Sequence, residues 1–153
     1  MDTRTLVILR GLPSSGKTSF AKMLEALVNV DSQACQSPPP FVMFAADDYF
    51  IDNETPFHFS KLGAAHERCQ ENVSYAMTEG VPLIAVHNTF VKKAEIMPYI
   101  DMAVANGYRY FVLSLFDGGL SDAELAARNV HGVPEWTMRN MRQKFQHDWH
   151  GKH

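Results

Sequence analysis

The stretch GLPSSGKT at residues 11–18 directly follows an apolar segment, TLVILR, at residues 5–10. It matches the pattern G-x-x-x-x-G-K-[ST] at every fixed position, through Gly11, Gly16, Lys17 and Thr18. Glycines at this spacing let a loop wrap around an anion with its backbone N–H groups pointing inward. The alternative is a glycine-rich turn that merely joins a strand to a helix. The strand–loop–helix context favours a phosphate-binding loop.

Lysine and threonine complete the chemistry of such a loop. Lys17 would reach the β- and γ-phosphates of a nucleotide, and the Thr18 hydroxyl would bind Mg²⁺. The helix that begins near Lys17 presents the positive end of its dipole to the same anion. We therefore expect ATP to contact the whole loop and the first helical turn, through Gly11, Leu12, Pro13, Ser14, Ser15, Gly16, Lys17, Thr18 and Ser19.

Composition is that of a globular domain. The 153 residues are 46% hydrophobic and 20% charged, with a net charge of −3, so nucleic-acid contact would need a local basic patch. Cys35 and Cys69 form neither a zinc spacing nor a disulfide framework. No apolar run approaches the length of a membrane span. We expect one cytoplasmic domain over residues 1–153 that does not associate with membranes.

Strand patterns alternate with helix patterns along the chain. Short apolar runs predict buried strands at residues 6–9, 41–46, 83–86 and 110–115. Helices are predicted at residues 17–28, 61–78 and 93–105, after the capping-box residue Ser121, and after Pro134. This alternation predicts an α/β fold with a mostly parallel sheet.

Two helices carry apolar stripes that we expect to face the core. In the first helix the stripe consists of Phe20, Met23, Leu24, Leu27 and Val28. In the last helix it consists of Met138, Met141, Phe145 and Trp149.

Two adjacent carboxylates, Asp47 and Asp48, follow the second predicted strand. Open α/β sheets bind ligands at the carboxyl ends of their strands. A carboxylate there could accept the proton of an acceptor hydroxyl or bind hydrated Mg²⁺ in the outer shell. Aspartate is equally suited to a turn or a helix cap. With the phosphate-binding loop in place, the functional interpretation is favoured.

Five segments carry a family resemblance over nearly the whole chain. They are GLPSSGKT at residues 11–18, DDYF at 47–50, FHFSKLGAAHERCQ at 57–70, HNTFVKKAEIMPYI at 87–100 and ARNVHGVP at 127–134. In this order they resemble the P-loop kinases related to the 5′-kinase domain of bacteriophage polynucleotide kinase, and above all the small Nedd-binding-protein-like members. The resemblance implies a three-layer P-loop NTPase fold with four to five strands and a short helical lid at about residues 128–134.

The resemblance also implies roles for individual residues. It implies Mg²⁺- and ATP-dependent phosphoryl transfer to a hydroxyl, with Lys17, Asp47 and Arg128 as catalytic residues. Asp47 corresponds to the general base, and Arg128 to a lid residue near the phosphates. Candidate acceptor-binding residues are Asp48, His87, Asn88 and His131.

Three positions depart from the family pattern. Phe50 stands where the phage-type kinase has an arginine for a substrate phosphate. The third strand ends in His87-Asn88-Thr89, where the small Nedd-binding-protein-like members usually have Asp-Asn-Thr, and histidine supplies no carboxylate near Mg²⁺. His131 stands near the position of a phage-type lid arginine. The leading hypothesis is a kinase whose acceptor is a polynucleotide 5′-hydroxyl or a small molecule; the alternative is an ATP-binding module that turns over poorly.

Further candidates are weaker. His147, His150 and His153 could face one metal ion, although a solvated terminus is favoured. Arg139, Arg142 and Lys144 could form a nucleic-acid patch, although a solvated helix face is favoured. His66 lies either near the acceptor or half-buried in a hydrogen bond, and Cys69 is expected in the core.

Overall fold

The computed structural model describes residues 3–29 and 37–147. Its sheet is parallel, with the strand order β2-β3-β1-β4. The strands are β1 (Thr5–Gly11), β2 (Phe41–Phe44), β3 (Leu83–Asn88) and β4 (Arg109–Phe116). The predicted α/β class is thus confirmed, with four strands in the parallel sheet.

Helices cover both faces of the sheet. They are α1 (Lys17–Asn29), α2 (Asp48–Asp52), α3 (Leu62–Thr78), α4 (Lys93–Ala105), α5 (Asp122–Arg128) and α6 (Glu135–Lys144), with a 3₁₀ turn at Phe59–Lys61. Leu6 and Ile8 of β1 pack with residues of α3 and α4 on one face. Val7 and Leu9 point to the other face, toward α1, because successive strand residues alternate. The predicted three-layer arrangement is confirmed. Within the described ranges, none of the helices is long and apolar enough to cross a membrane.

The apolar stripe predicted for α1 is only partly buried. Phe20 and Leu24 pack against the core, but Met23 is 52% exposed and Leu27 is 67% exposed. The stripe prediction was wrong at these two positions because α1 touches the sheet along a narrower line than its apolar composition suggests.

The region after β2 also differs from expectation. A short helix, α2, begins at Asp48, directly after the predicted strand, where no helix was predicted. In contrast, the capping box is confirmed: Ser121 Oγ accepts from the Glu124 N–H and the Glu124 carboxylate accepts from the Ser121 N–H.

The last helix ends earlier than its apolar pattern predicts. Helix α6 ends at Lys144, so Phe145 lies beyond it, and Trp149 falls outside the described residues. The chain leaves the helix after Lys144 because Phe145 and Gln146 contact Arg10. The fully buried Arg10 guanidinium lies 4.1 Å from the centre of the Phe145 ring and donates to the Gln146 carbonyl at 2.7 Å. This contact joins the end of α6 to β1.

The proposed basic patch on α6 is interrupted by an ion-pair network. Arg142 donates to the carboxylates of Asp117 and Asp122 and, at 2.8 Å, to the Leu120 carbonyl. These partners lie in the β4–α5 connection and at the start of α5. Arg142 therefore fixes α6 against α5 and is not free to bind nucleic acid. Arg139 instead makes an exposed pair with Glu135 on its own helix, at 3.7 Å.

The two arginines give a matched test of this network. Arg142→Met should lower the free energy of unfolding by about 1–3 kcal/mol, because partly buried carboxylates lose a charged hydrogen-bond donor. Arg139→Met should cost less than about 0.5 kcal/mol, since exposed helical pairs contribute little. Urea unfolding of both variants measures the difference. Equal, small effects would show that Arg142 does not hold the two helices together.

Candidate active site

The loop at residues 11–18 is shaped by backbone conformations and tight packing. Gly16 has a φ of 108° and Ser14 a φ of 68°, both in the left-handed region. At Gly11, a Cβ atom would lie 2.5 Å from Ser15 Oγ and 3.1 Å from the Phe116 carbonyl oxygen. Glycine is therefore required at Gly11 by space and is favoured at Gly16 by conformation.

The interior of the loop contains a polar atom with no protein partner. Ser15 Oγ is buried and makes no hydrogen bond, which is costly unless a ligand satisfies it. The β4–α5 connection packs directly on this residue, because a Cβ at Gly118 would lie 2.5 Å from the Ser15 carbonyl oxygen. The first N–H groups of α1 also have no partner within the helix. This combination fits an anion.

Lys17 lies beneath the loop and is buried. Its ammonium group donates to the carbonyl oxygens of Gly11 and Leu12, each at 2.8 Å. Burial lowers the pKa of Lys17 to about 8, and the negative charge of Asp47 opposes this shift. Lys17 is thus a nearly desolvated cation that the backbone carbonyls of the loop hold in place.

The two aspartates after β2 have different surroundings. Asp48 accepts a hydrogen bond from the Ala45 N–H at 2.9 Å, so it closes the turn into α2. Burial raises the pKa of Asp48, and the hydrogen bond from Ala45 acts in the opposite direction. Asp47 is exposed and makes no side-chain cap to α2. Of the two alternatives drawn from the sequence, the turn describes Asp48, whereas the Asp47 carboxylate faces solvent.

His87 and Asn88 end the neighbouring strand β3. Burial lowers the pKa of His87 to about 4; the charge of Lys17 lowers it further and that of Asp47 raises it. The imidazole is therefore neutral at pH 7. The Asn88 side-chain oxygen accepts from the Ala46 N–H at 2.8 Å, and its amide nitrogen lies 3.8 Å from Cys69 Sγ. Asn88 thus ties the residues after β2 to β3. Its predicted contact with the acceptor stays a prediction.

The segment between α5 and α6 contacts the site through residues other than Arg128. Asn129 donates to Ser14 Oγ at 3.3 Å and accepts from the N–H groups of His131 and Val133, both at 2.9 Å. His131 Nε2 lies 3.9 Å from the Asp47 carboxylate. Arg128 is exposed at the end of α5, and among the described residues its guanidinium makes no hydrogen bond or ion pair. The sequence interpretation did not single out Asn129, although it lies inside the ARNVHGVP segment.

A groove of about 200 Å³ opens beside Asp47. We call it the acceptor groove, after the acceptor site that the sequence predicts beside Asp47; its lining residues are Asp47, Phe50, Ile51, Thr55, Phe57 and His131. Phe50 and Phe57 contact each other with ring centres 5.2 Å apart. The sequence predicted Asp47 and His131 at this place, and Phe50 and Phe57 lie in segments that carry the family resemblance. It gave no signal for Ile51 or Thr55.

The remaining histidine candidates are His66 on α3 and the three histidines of the C-terminal segment. The His147 ring packs against Phe116 and Phe145, with centres 4.4 Å and 5.0 Å apart. His150 and His153 lie outside the described residues, and within residues 3–29 and 37–147 no three acidic, histidine or cysteine side chains could hold one metal ion. His66 is half-buried on α3, and Cys69 is in the core as predicted.

A parallel sheet, an anion-binding loop after its first strand and carboxylates at the next strand end define a P-loop kinase-like protein. The profile of the AAA domain family matches residues 6–147, and the chain belongs to that family. It is 32% identical over 145 residues to NEDD4-binding protein 2 of Homo sapiens; the match covers 92% of this chain but only 8% of the length of that protein.

Solved structures show the same fold at low sequence identity. A chain of the Pnkp1/Rnl/Hen1 RNA repair complex superposes with a TM-score of 0.61 at 15% identity, over 95% of this chain and 45% of that one. The APS kinase CysC of Mycobacterium tuberculosis, in complex with AMPPNP and APS, has a TM-score of 0.54 at 13% identity, over 75% and 64% of the two chains.

The pKa of His87 makes stability depend on pH. The unfolded chain binds a proton at this position below about pH 6.5, whereas the folded chain does so only near pH 4. Stability is therefore lost as the pH falls from about 6.5 to about 4. This loss is on the order of 1–3 kcal/mol, since one pKa unit is worth about 1.4 kcal/mol. His87→Asn should flatten the pH dependence of urea unfolding in this window. An unchanged slope would contradict an imidazole that stays neutral in the folded chain near pH 7.

Proposed function

We propose that this chain is an ATP-dependent kinase that transfers the γ-phosphoryl group to a hydroxyl held beside Asp47. The observation that carries the proposal is the position of this carboxylate. It is exposed at the carboxyl edge of the sheet, lines a groove, and is close enough to the buried Lys17 to influence its pKa. The candidate base Asp47, the cation Lys17 and the groove for the acceptor then lie at the same edge of the sheet. The likeness in fold to a kinase solved with AMPPNP agrees with this proposal.

The donor side fits a nucleotide. The loop residues and Ser19 would surround the phosphates, and the unpartnered Ser15 hydroxyl would gain a hydrogen bond. Thr18 is the proposed Mg²⁺ ligand. One protein hydroxyl suffices, because Mg²⁺ keeps several waters and takes its other ligands from phosphates. Bound Mg²⁺-ATP supplies the phosphoryl group and the neutralising charge.

The residues of the chain then have separate tasks. Asp47 accepts the proton of the acceptor hydroxyl. At the same time the hydroxyl oxygen of the acceptor bonds to the γ-phosphorus, and the bond between this phosphorus and the leaving ADP oxygen breaks. Lys17 stabilises negative charge on the phosphates. Residues 128–134 act as a lid over the one catalytic domain, with Asn129 anchoring it to the loop. Arg128 would turn inward on closure and bind the phosphates with its planar guanidinium.

A second candidate is an ATP-binding module with little turnover. The observation that favours it is His87, which places a neutral imidazole where a carboxylate is expected near Mg²⁺. Phosphate transfer from radiolabelled ATP to 5′-hydroxyl RNA, 5′-hydroxyl DNA and small polyols distinguishes the two candidates. Tight ATP binding without any labelled product would favour the module. Labelled RNA or DNA would support the polynucleotide acceptor, and labelled polyol the small-molecule kinase.

Lys17→Ala should abolish ATP binding or turnover. The substitution removes the cation offered to the β- and γ-phosphates but leaves the sheet intact. Calorimetry with Mg²⁺-ATP and phosphate-release assays measure the two effects. Lys22→Ala, an exposed lysine one turn further along α1, should behave as wild type. An unaltered affinity and rate in Lys17→Ala would reject the loop as the nucleotide site.

Asp47→Asn should reduce kcat by about 10²–10⁴-fold while ATP affinity changes little. A general base acts only as the acceptor loses its proton, so its loss appears in the rate and not in binding. Initial rates at saturating acceptor measure kcat, with the exposed Asp101→Asn on α4 as the control. If Asp47→Asn retains full kcat, another group must remove the proton.

A further inference from the structure

Several large apolar side chains at the acceptor groove are exposed to solvent. Phe57 is 50% exposed and Ile51 67%, and the 83%-exposed Phe59 lies with its ring centre 6.4 Å from that of Phe57. Exposed apolar side chains that cluster around a groove indicate a binding surface. Phe50, which also lines the groove, is half-buried and its ring contacts the rings of Tyr49 and Phe57.

The side chains that line the groove include no lysine or arginine to bind a phosphate. Residues 47–60 contain four carboxylates and no lysine or arginine, the carboxylates being Asp47, Asp48, Asp52 and Glu54. Among the side chains that line the groove, the ionisable ones are Asp47 and His131. Binding of a nucleic-acid backbone normally depends on lysine and arginine. A phosphate attached close to the acceptor hydroxyl would therefore be repelled.

We propose that the groove selects an uncharged alcohol that carries a planar ring, of the nucleoside class, and disfavours acceptors with a phosphate near the ring. This inference rests on the kinase function proposed above and specifies its substrate class. The ring stacks on Phe57, and Phe50 holds Phe57 in place. The hydroxyl reaches Asp47, which takes its proton as the new O–P bond forms and ADP leaves. The Thr55 hydroxyl, which donates to the Asn53 carbonyl at 2.9 Å, retains lone pairs for a donor on the ring.

Direct binding tests the groove independently of catalysis. The wild type, with Mg²⁺-AMPPNP occupying the donor site, is titrated with adenosine, cytidine, guanosine and uridine, with their 3′-monophosphates, and with glycerol. At least one nucleoside should bind, more tightly than its 3′-monophosphate and than glycerol. Absence of nucleoside binding, or tighter binding of the 3′-monophosphates, would overturn the inference.

Substitutions locate the ring. Phe57→Ala should weaken nucleoside binding by about 5-fold or more, because stacking of a base on an aromatic side chain is worth about 1–3 kcal/mol. Phe57→Leu keeps the apolar contact but loses the flat aromatic face. It replaces Phe57→Ala in the binding measurement if the alanine variant does not fold. Phe111→Ala, on β4 and 54% exposed, is the matched control. Equal nucleoside affinity in Phe57→Ala, Phe57→Leu and wild type would place the ring elsewhere.

A gain of function tests the charge argument. Phe50→Arg should improve kcat/KM for 3′-phosphorylated nucleosides relative to the unmodified nucleosides, because it supplies a bidentate phosphate partner. No change in this ratio would contradict the selection against phosphate.

The kinase proposal and the groove proposal are contradicted by different results. Nucleosides that bind through Phe57 but are never phosphorylated would reject the kinase and keep the groove assignment. Transfer to ringless polyols as efficient as transfer to nucleosides would reject the groove assignment and keep the kinase.

Discussion

The ammonium group of Lys17, held between the carbonyl oxygens of Gly11 and Leu12, is the interaction on which the site depends. A buried cation is tolerated only where polar groups replace its water, and here the end of β1 provides them. The backbone can supply both carbonyls because glycine at position 11 leaves room for Ser15 and Phe116. The conformation of the loop therefore also fixes the position of the Lys17 charge.

This charge also acts on a neighbouring titratable group. Burial is the main cause of the low pKa of His87 and the charge of Lys17 adds to it, so the end of β3 carries a neutral imidazole. Asp47 stabilises the cation and opposes both pKa shifts, which makes it the carboxylate electrically coupled to the loop. Asp48, one residue further, is half-buried and used in a turn. Two adjacent aspartates thus differ in role because only one of them faces solvent and the loop.

The helical segment after β4 is attached to this centre at two points. Arg142 fixes α6 to the start of α5 through carboxylates, and Asn129 connects the intervening loop to Ser14. Buried Arg10 holds the residues that follow α6, through the Gln146 carbonyl and the Phe145 ring. The connecting residues between α5 and α6 thus lie between two helices that these contacts hold in place.

The sequence by itself determined the α/β class, the phosphate-binding loop and the aspartates at the strand end, because these follow from periodicity and from short motifs with local physical causes. The capping box at Ser121 was predictable for the same reason. The role of Asn88, the ion pairs of Arg142, the early end of α6 and the composition of the acceptor groove were decided only by tertiary structure. Each depends on partners far apart in the chain, as when Arg10 binds Phe90 and Gln146. Residue patterns encode local conformation and burial, whereas the pairing of distant polar groups is fixed only when the packed strands bring them together.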